Sequence, residues 1–138
     1  MANIIYNKFK EYCGDGTIDL DTHTFKCALL DNTHTPSAGY STFAEVSSAE
    51  VSGTGYTAGG ETLVNVSWGD DEGTSTFDAD DVVWSDSRFT ARYAVIYDDT
   101  TTSPIDVLVC MNDLTSNRVV NLGTFTLAFD SEGILKIE

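Results

Sequence analysis

Seven carboxylates lie close together in the middle of the chain and offer the most obvious chemistry. They fall within 17 residues, at Asp70, Asp71, Glu72, Asp78, Asp80, Asp81 and Asp86. Calcium takes six to eight oxygen ligands, and Asp78, Asp80 and Asp81 on one loop could supply several of them. The spacing lacks the DxDxDG pattern of a calcium loop, which favours solvated turns whose aspartates cap backbone N–H groups. Calcium is the minority interpretation, and no other cofactor is expected.

The remaining polar residues do not form a catalytic pattern. Asp15, Asp19 and Asp21 lack the glycine that a calcium loop needs. Paired carboxylates could serve a glycosidase, but nothing in the sequence distinguishes a general acid from a nucleophile. His23 and His34 lie in Thr-rich surroundings without ligand spacing, which predicts surface or turn positions, and no serine stands in a GxSxG motif. We therefore expect a protein that is not an enzyme.

A glycine-rich segment, SGTGYTAGG at residues 52–60, could be mistaken for a phosphate-binding loop. It lacks the GxxxxGK[ST] pattern, and no strand-then-helix pattern surrounds it. Glycines at this density instead indicate a backbone that approaches another segment closely. Tyr56 is the expected anchor of this loop, with its ring packing inward in preference to facing a partner.

Charge limits the partners of this protein. The 138 residues include 22 Asp and Glu against 7 Lys and Arg, a formal net charge of -15. Such a surface repels phosphate backbones and anionic lipid, so direct binding to nucleic acid or membranes is not expected. Protein, neutral glycan or a cation remain as partners. No apolar run is long enough for a signal peptide or a membrane span, which predicts assembly in the cytoplasm.

Apolar periodicity predicts one β-rich domain spanning residues 1–138. A spacing of four between Ile5, Phe9 and Cys13 predicts a short helix over about 3–13. The period then changes to two, and the β core is expected over about 24–137. Strands are predicted at 24–30, 62–68, 74–77, 89–97, 105–111, 123–129 and 134–137, with a turn at 69–73 and linkers at 31–60 and 112–122. These seven strands favour an antiparallel sandwich or small barrel with one N-terminal helix.

Aromatic and sulfur-containing residues each allow two interpretations. Trp68, Trp84, Tyr93 and Tyr97 could stack on sugar rings, but they fall on strand faces, and at least three of them are expected in the core. The three cysteines, Cys13, Cys27 and Cys110, have no metal-binding spacing. Buried free thiols are favoured over a cross-link that forms after the protein leaves a reducing compartment.

Four phrases of the chain carry a family resemblance. The segments SGTGYTAGG, FDADDVVW and FTARYAVIYDD, followed by GTFTLAFDSEGILKI, resemble a family of small virion structural proteins of tailed bacteriophages. The resemblance covers nearly the whole chain. It implies a location in the virion, with the major capsid protein or other virion structural proteins as partners and self-association as a further possibility.

Within that family, the role we expect is capsid decoration, in which the protein binds the outer head surface and stabilises the shell. A tail or neck component, either an adaptor or a tube-associated subunit, is the first alternative. A virion-surface glycan-binding module is the second. The expected contact residues are Ile5 and Phe9 on the N-terminal helix, Tyr40 and Phe43 in the segment 31–48, and Tyr56.

Overall fold

The computed structural model describes residues 2–138. Within these residues the chain forms one α-helix and eight strands, in the order β1 (Ile4–Ile5), α1 (Asn7–Gly14), β2 (Phe25–Leu30), β3 (Glu61–Thr62), β4 (Ser67–Asp71), β5 (Thr74–Asp78), β6 (Val82–Thr102), β7 (Ile105–Leu127) and β8 (Leu135–Ile137). Two short 3₁₀ turns, Phe43–Glu45 and Ser47–Ala49, lie between β2 and β3. The predicted mainly β fold with one N-terminal helix is confirmed.

The strands form two antiparallel sheets. The larger sheet has the order β1-β7-β6-β2-β3, and the smaller has the order β4-β5-β8. The rings of Phe25 on β2 and Phe77 on β5 meet edge to face, with centroids 5.0 Å apart. Both rings are fully buried. This contact joins the two sheets through a shared apolar core, as expected of a sandwich.

One long hairpin dominates the larger sheet. β6 and β7 pair from Val82 with Leu127 to Thr102 with Ile105 at the hairpin end. β2 pairs only with residues 93–98 of β6, and β1 pairs only with residues 110–111 of β7. The remaining paired segments, 82–91 and 118–127, form a two-stranded extension of the sheet that we call the arm.

A bulge separates the arm from the rest of the sheet. Ala91 pairs with Arg118, whereas Tyr93 pairs with Asp113, so the four β7 residues 114–117 lie opposite the single β6 residue Arg92. Asp113 forms an ion pair with Arg92 beside the bulge. The Arg118 guanidinium donates a hydrogen bond to the backbone carbonyl of Leu114 at 3.0 Å. Bulges bend the strand that carries them, so this one sets the direction of the arm.

The structure corrects several predicted boundaries. The helix begins at Asn7, and Ile5 belongs to β1 instead. The predicted strand 62–68 is interrupted, because Asn65 adopts a left-handed backbone with φ of 54° and Val64 is exposed. The predicted turn 69–73 is shorter, since β4 and β5 remain paired as far as Asp71 and Thr74.

The predicted linker at 112–122 is wrong, because this segment is part of β7. Its polar residues suggest a loop when they are read locally. In the structure most of them lie at exposed positions of a strand that pairs with β6 on both sides of the bulge. Pairing with a distant strand thus determines the backbone here, in place of local composition.

Removing the ring that joins the sheets should cost much of the stability. We expect Phe77→Ala to lower the free energy of unfolding by about 3–5 kcal/mol, because it leaves a cavity against Phe25. Val83→Ala, at a position 49% exposed, should change it by about 0.5 kcal/mol or less. Urea denaturation followed by tryptophan fluorescence measures both. Equal effects of the two substitutions would contradict this account of the core.

Candidate docking surfaces

The glycine–tyrosine loop, residues 51–60, is attached to the sheet by a hydrogen-bond network around Tyr56. The Tyr56 hydroxyl donates to Glu50 Oε2 at 2.7 Å and accepts from the backbone N–H of Leu29 at 3.0 Å. The same Glu50 oxygen accepts the backbone N–H of Gly59 at 2.8 Å. The Tyr97 hydroxyl donates to the carbonyl of Gly59 at 2.6 Å. The loop is therefore fixed to β2 and β6 at several points.

Glycine is required where this loop touches the strands. Gly60 has φ of 81°, and a Cβ atom there would overlap the backbone of Cys27. At Gly53 a Cβ atom would overlap the carbonyl of Arg88 on β6. Only a residue without a side chain allows both approaches. The predicted close-approach backbone is confirmed, and it lies against β2 on one side and the arm on the other.

Aromatic rings fill the space between the loop and the arm. Tyr56 stacks on Trp84 with ring centroids 6.3 Å apart, and its edge contacts Phe89 at 5.9 Å. Phe125 on β7 contacts both Trp84 and Phe89, at 5.8 and 5.6 Å. The inward orientation predicted for Tyr56 is confirmed. The Tyr56 hydroxyl is hydrogen-bonded within the chain, so only the partly exposed ring is available to contact a partner.

The other predicted contact residues divide into buried and accessible groups. Phe9 is 1% exposed and Phe43 is 8% exposed, with Phe43 stacked on Tyr97 at 4.4 Å. Both side chains belong to the core, and the contact role predicted for them stays a prediction. Tyr40 is half-buried beside His34, and Ile5 is half-buried at the chain's N-terminal end. These two remain candidates for contact.

An apolar groove of about 360 Å³ lies between α1 and β8. Apolar side chains and the stems of two lysines line it, namely Ile5, Phe9, Cys13, Leu135, Ile137, Lys10 and Lys136. Ile137 is 46% exposed. A second depression continues from Cys13 and Ile137 towards Trp68, so the apolar lining extends across the end of the smaller sheet. We call the first of these the α1–β8 groove.

The aspartates considered for calcium all accept hydrogen bonds from the chain itself. Asp78 accepts the N–H of Ala79, Asp80 accepts the Asn65 side-chain amide, and Asp81 accepts the N–H of Phe129 at 2.8 Å. This is the capping arrangement of solvated turns. Among residues 2–138 no group of three or more His, Cys, Asp or Glu side chains is placed to share a metal ion. Calcium stays the minority interpretation of these three aspartates.

The two histidines have different environments. His34 follows a turn, and its backbone N–H donates to the carbonyl of Asp31, but its side chain is 8% exposed and packs against Tyr40 and Tyr93 instead of lying at the surface. His23 contacts the fully buried Asp98 through Nδ1 and Oδ2, 2.6 Å apart. The other Asp98 oxygen accepts the N–H of Thr100. The polar residues around each histidine in the sequence did not indicate these environments, because both depend on strands that are distant in sequence.

All three cysteines are free thiols, and none is fully exposed. Cys27 and Cys110 are buried, while Cys13 is half-buried in the α1–β8 groove. Burial raises the pKa of Cys13 to about 11 and that of Cys110 to about 12. At neutral pH these thiols are protonated and react slowly, since the thiolate is the nucleophile.

Comparisons of the chain with protein-family models, curated proteins and solved structures found no match. No helix among residues 2–138 has the length and apolar character needed to cross a bilayer.

Aromatic side chains do not form an exposed platform in the part of the chain that the structure describes. Trp84 and Tyr97 are buried, while Trp68 and Tyr93 are half-buried. Two of the four rings are thus fully in the core, where at least three were predicted. Every aromatic ring in residues 2–138 is buried or half-buried. The glycan-binding alternative stays a prediction.

One further feature, an open strand edge, was missed in the sequence. The outer edge of β7 in the arm, residues 118–127, pairs with no strand among residues 2–138. Nothing in the local sequence tells an edge strand from a central one, because that depends on strand order. The clue available from sequence was the unusual absence of carboxylates from residues 114–129.

Removing the Tyr56 hydroxyl should loosen the glycine–tyrosine loop. We expect Tyr56→Phe to lower the free energy of unfolding by about 1–3 kcal/mol, because Glu50 and the Leu29 N–H lose a partner in a half-buried site. Tyr12→Phe on α1 is the matched control, with an expected change of about 0.5 kcal/mol or less. Urea denaturation provides the comparison. Wild-type stability of Tyr56→Phe would show that the network does not hold the loop.

His34 should make stability depend on pH. Burial lowers its pKa in the folded chain, although the nearby Asp31 carboxylate opposes this. Below the unfolded value of about 6.5 the unfolded chain binds the proton more readily, so stability falls as the pH drops from there towards the folded pKa. Between pH 7.5 and 5.5, His34→Gln should lose less stability than the wild type in thermal unfolding. Identical losses would contradict the prediction.

Proposed function

We propose that this protein is a virion structural protein of a tailed bacteriophage, and that it decorates the outer surface of the head. The observation that carries the proposal is the open α1–β8 groove, an apolar site without a catalytic constellation around it. An apolar groove of this kind can take the apolar face of a protein segment. The resemblance of the chain to phage virion proteins supplies the identity of the particle.

The occupant that we propose for the groove is an apolar segment of the major capsid protein. Lys10 and Lys136 lie at its lining, and they are two of only seven cationic side chains in the chain. Lys136 also pairs with Glu132 at 3.0 Å. Cations are scarce in this chain of net charge -15. A capsid segment that carries an acidic residue beside its apolar residues would be attracted to the two lysines at the groove and repelled by most of the remaining surface.

Decoration requires no chemistry beyond binding. A ligand that binds an assembled state and not its separated parts stabilises the assembly by mass action. Many copies on one shell add their effects, so modest affinity at each position suffices. A strongly acidic surface also keeps the unbound protein soluble and disfavours binding to the packaged DNA.

The first test is the composition of purified particles. Quantitative mass spectrometry and electron cryo-microscopy of virions should find this chain on the outer head surface in about as many copies as capsomer junctions. A copy number of six or twelve at the head–tail junction would replace decoration with the neck alternative. Absence from purified virions would refute the proposal.

The second test concerns the groove. Ile137→Lys places a charge in the groove, and we expect it to weaken binding to undecorated heads at least about tenfold, since burying an isoleucine side chain contributes about 1.5–3 kcal/mol. Val64→Lys is the control, because Val64 is 58% exposed and lies outside the groove. Co-sedimentation with heads measures both. Equal binding by both variants, with folding verified by circular dichroism, would exclude the groove as the docking site.

A further inference from the structure

The two edges of the arm differ in how they are covered. On the β6 side, the N–H of Arg88 donates to the carbonyl of Thr54 at 2.9 Å, so the glycine–tyrosine loop covers that edge. On the β7 side, residues 118–127 have no neighbouring strand within residues 2–138. Unpaired N–H and C=O groups on a strand edge are a template for another strand.

The open edge lacks most of the devices that prevent strand addition. Residues 118–127 contain no lysine and no proline, the residues that commonly protect edges. Two irregularities in pairing, one on each side of Gly123, and the charge of Arg118 are the protective features of this segment. Regular pairing runs over residues 118–121 and 125–127, and each of these two runs can accept residues of a partner strand.

Exposed apolar side chains accompany this edge. Val119 is 73% exposed and Leu122 is 65% exposed, the two highest values among the large hydrophobic residues that are exposed. Leu122 also has a left-handed backbone, with φ of 56°. Leucine adopts that conformation at a cost that asparagine or glycine avoids. Within the single chain, neither the exposure nor the strain of Leu122 has a compensating contact.

Charge makes this edge the place where two copies can approach. Residues 114–129 form the longest stretch of the chain without Asp or Glu. The arm itself has Arg88 and Arg118 against one carboxylate, Asp86, in a chain of net charge -15. Two copies that meet elsewhere bring like charges together, whereas meeting along this edge keeps most carboxylates apart.

We propose that the β7 edge of the arm, residues 118–127, pairs antiparallel with the same edge of a second copy. A two-fold axis relates the two edges. Each contact between a residue of the first copy and a residue of the second is therefore repeated with the two copies exchanged. The two larger sheets then become continuous, and Val119 and Leu122 of both copies are covered at the join. This dimer does not depend on the proposed function, since it forms from the purified chain alone.

Sedimentation velocity over a range of concentrations tests the dimer. The wild-type chain should convert from monomer to dimer as its concentration rises. Val119→Lys adds a charge at the join, and we expect it to raise the dimer dissociation constant at least about tenfold. Ile105→Lys is the matched control, because Ile105 is 61% exposed at the other end of β7. It should dimerise as the wild type does.

Leu122→Asn separates assembly from folding. Asparagine accepts the left-handed backbone, so the monomer should be as stable as the wild type or more so, while the dimer weakens. Hydrogen exchange gives an independent measure, because amides of residues 118–127 should exchange more slowly at high concentration while those near Ile105 do not change. A wild-type chain that stays monomeric at all concentrations, or a dimer equally sensitive to Ile105→Lys, would overturn the proposal.

Discussion

The pairing of β6 with β7 is the interaction on which the rest of the structure depends. It joins residues 82–102 to residues 105–127, and every other strand of the larger sheet is added to this hairpin directly or through β2. One end of the hairpin lies within the sandwich and holds the core. The other end is the arm, whose apolar side chains join the same core and whose β6 edge contacts the glycine–tyrosine loop. The same pairing therefore provides a stable body and an incompletely covered extension.

The Tyr56 network explains how a chain with long irregular segments holds that extension in place. One carboxylate, Glu50, binds both the tyrosine hydroxyl and a loop amide. The ring of Tyr56 in turn covers Trp84 on the arm. Glutamate is usually found at protein surfaces, yet Glu50 is half-buried where it holds the loop and Tyr56 together. The hydrogen bonds that its carboxylate accepts offset the cost of half-burying its charge.

Sequence patterns predicted the elements that depend on local periodicity. The strand over Phe25–Leu30, the hairpin of β4 and β5, and the inward Tyr56 all follow from alternation or from glycine spacing. Two kinds of feature could not be predicted. The β7 segment 112–122 and buried His34 depend on distant partners, and the open edge depends on strand order. The burial of Phe9 and Phe43 was also missed, because a helical face or a turn does not reveal which side the sandwich covers.

The beginning of the chain is tied to its second half. The Ala2 N–H donates to the carbonyl of Ile134 at 2.9 Å, and the side-chain carbonyl of Asn3 accepts the N–H of Asp113 at 2.7 Å. During translation, Ala2 and Asn3 leave the ribosome first, but they can form these hydrogen bonds only after Asp113 and Ile134 have been synthesised. Such long-range closure slows folding and makes it depend on the whole chain being present. The protein reaches its final form after synthesis, as a single cooperative unit.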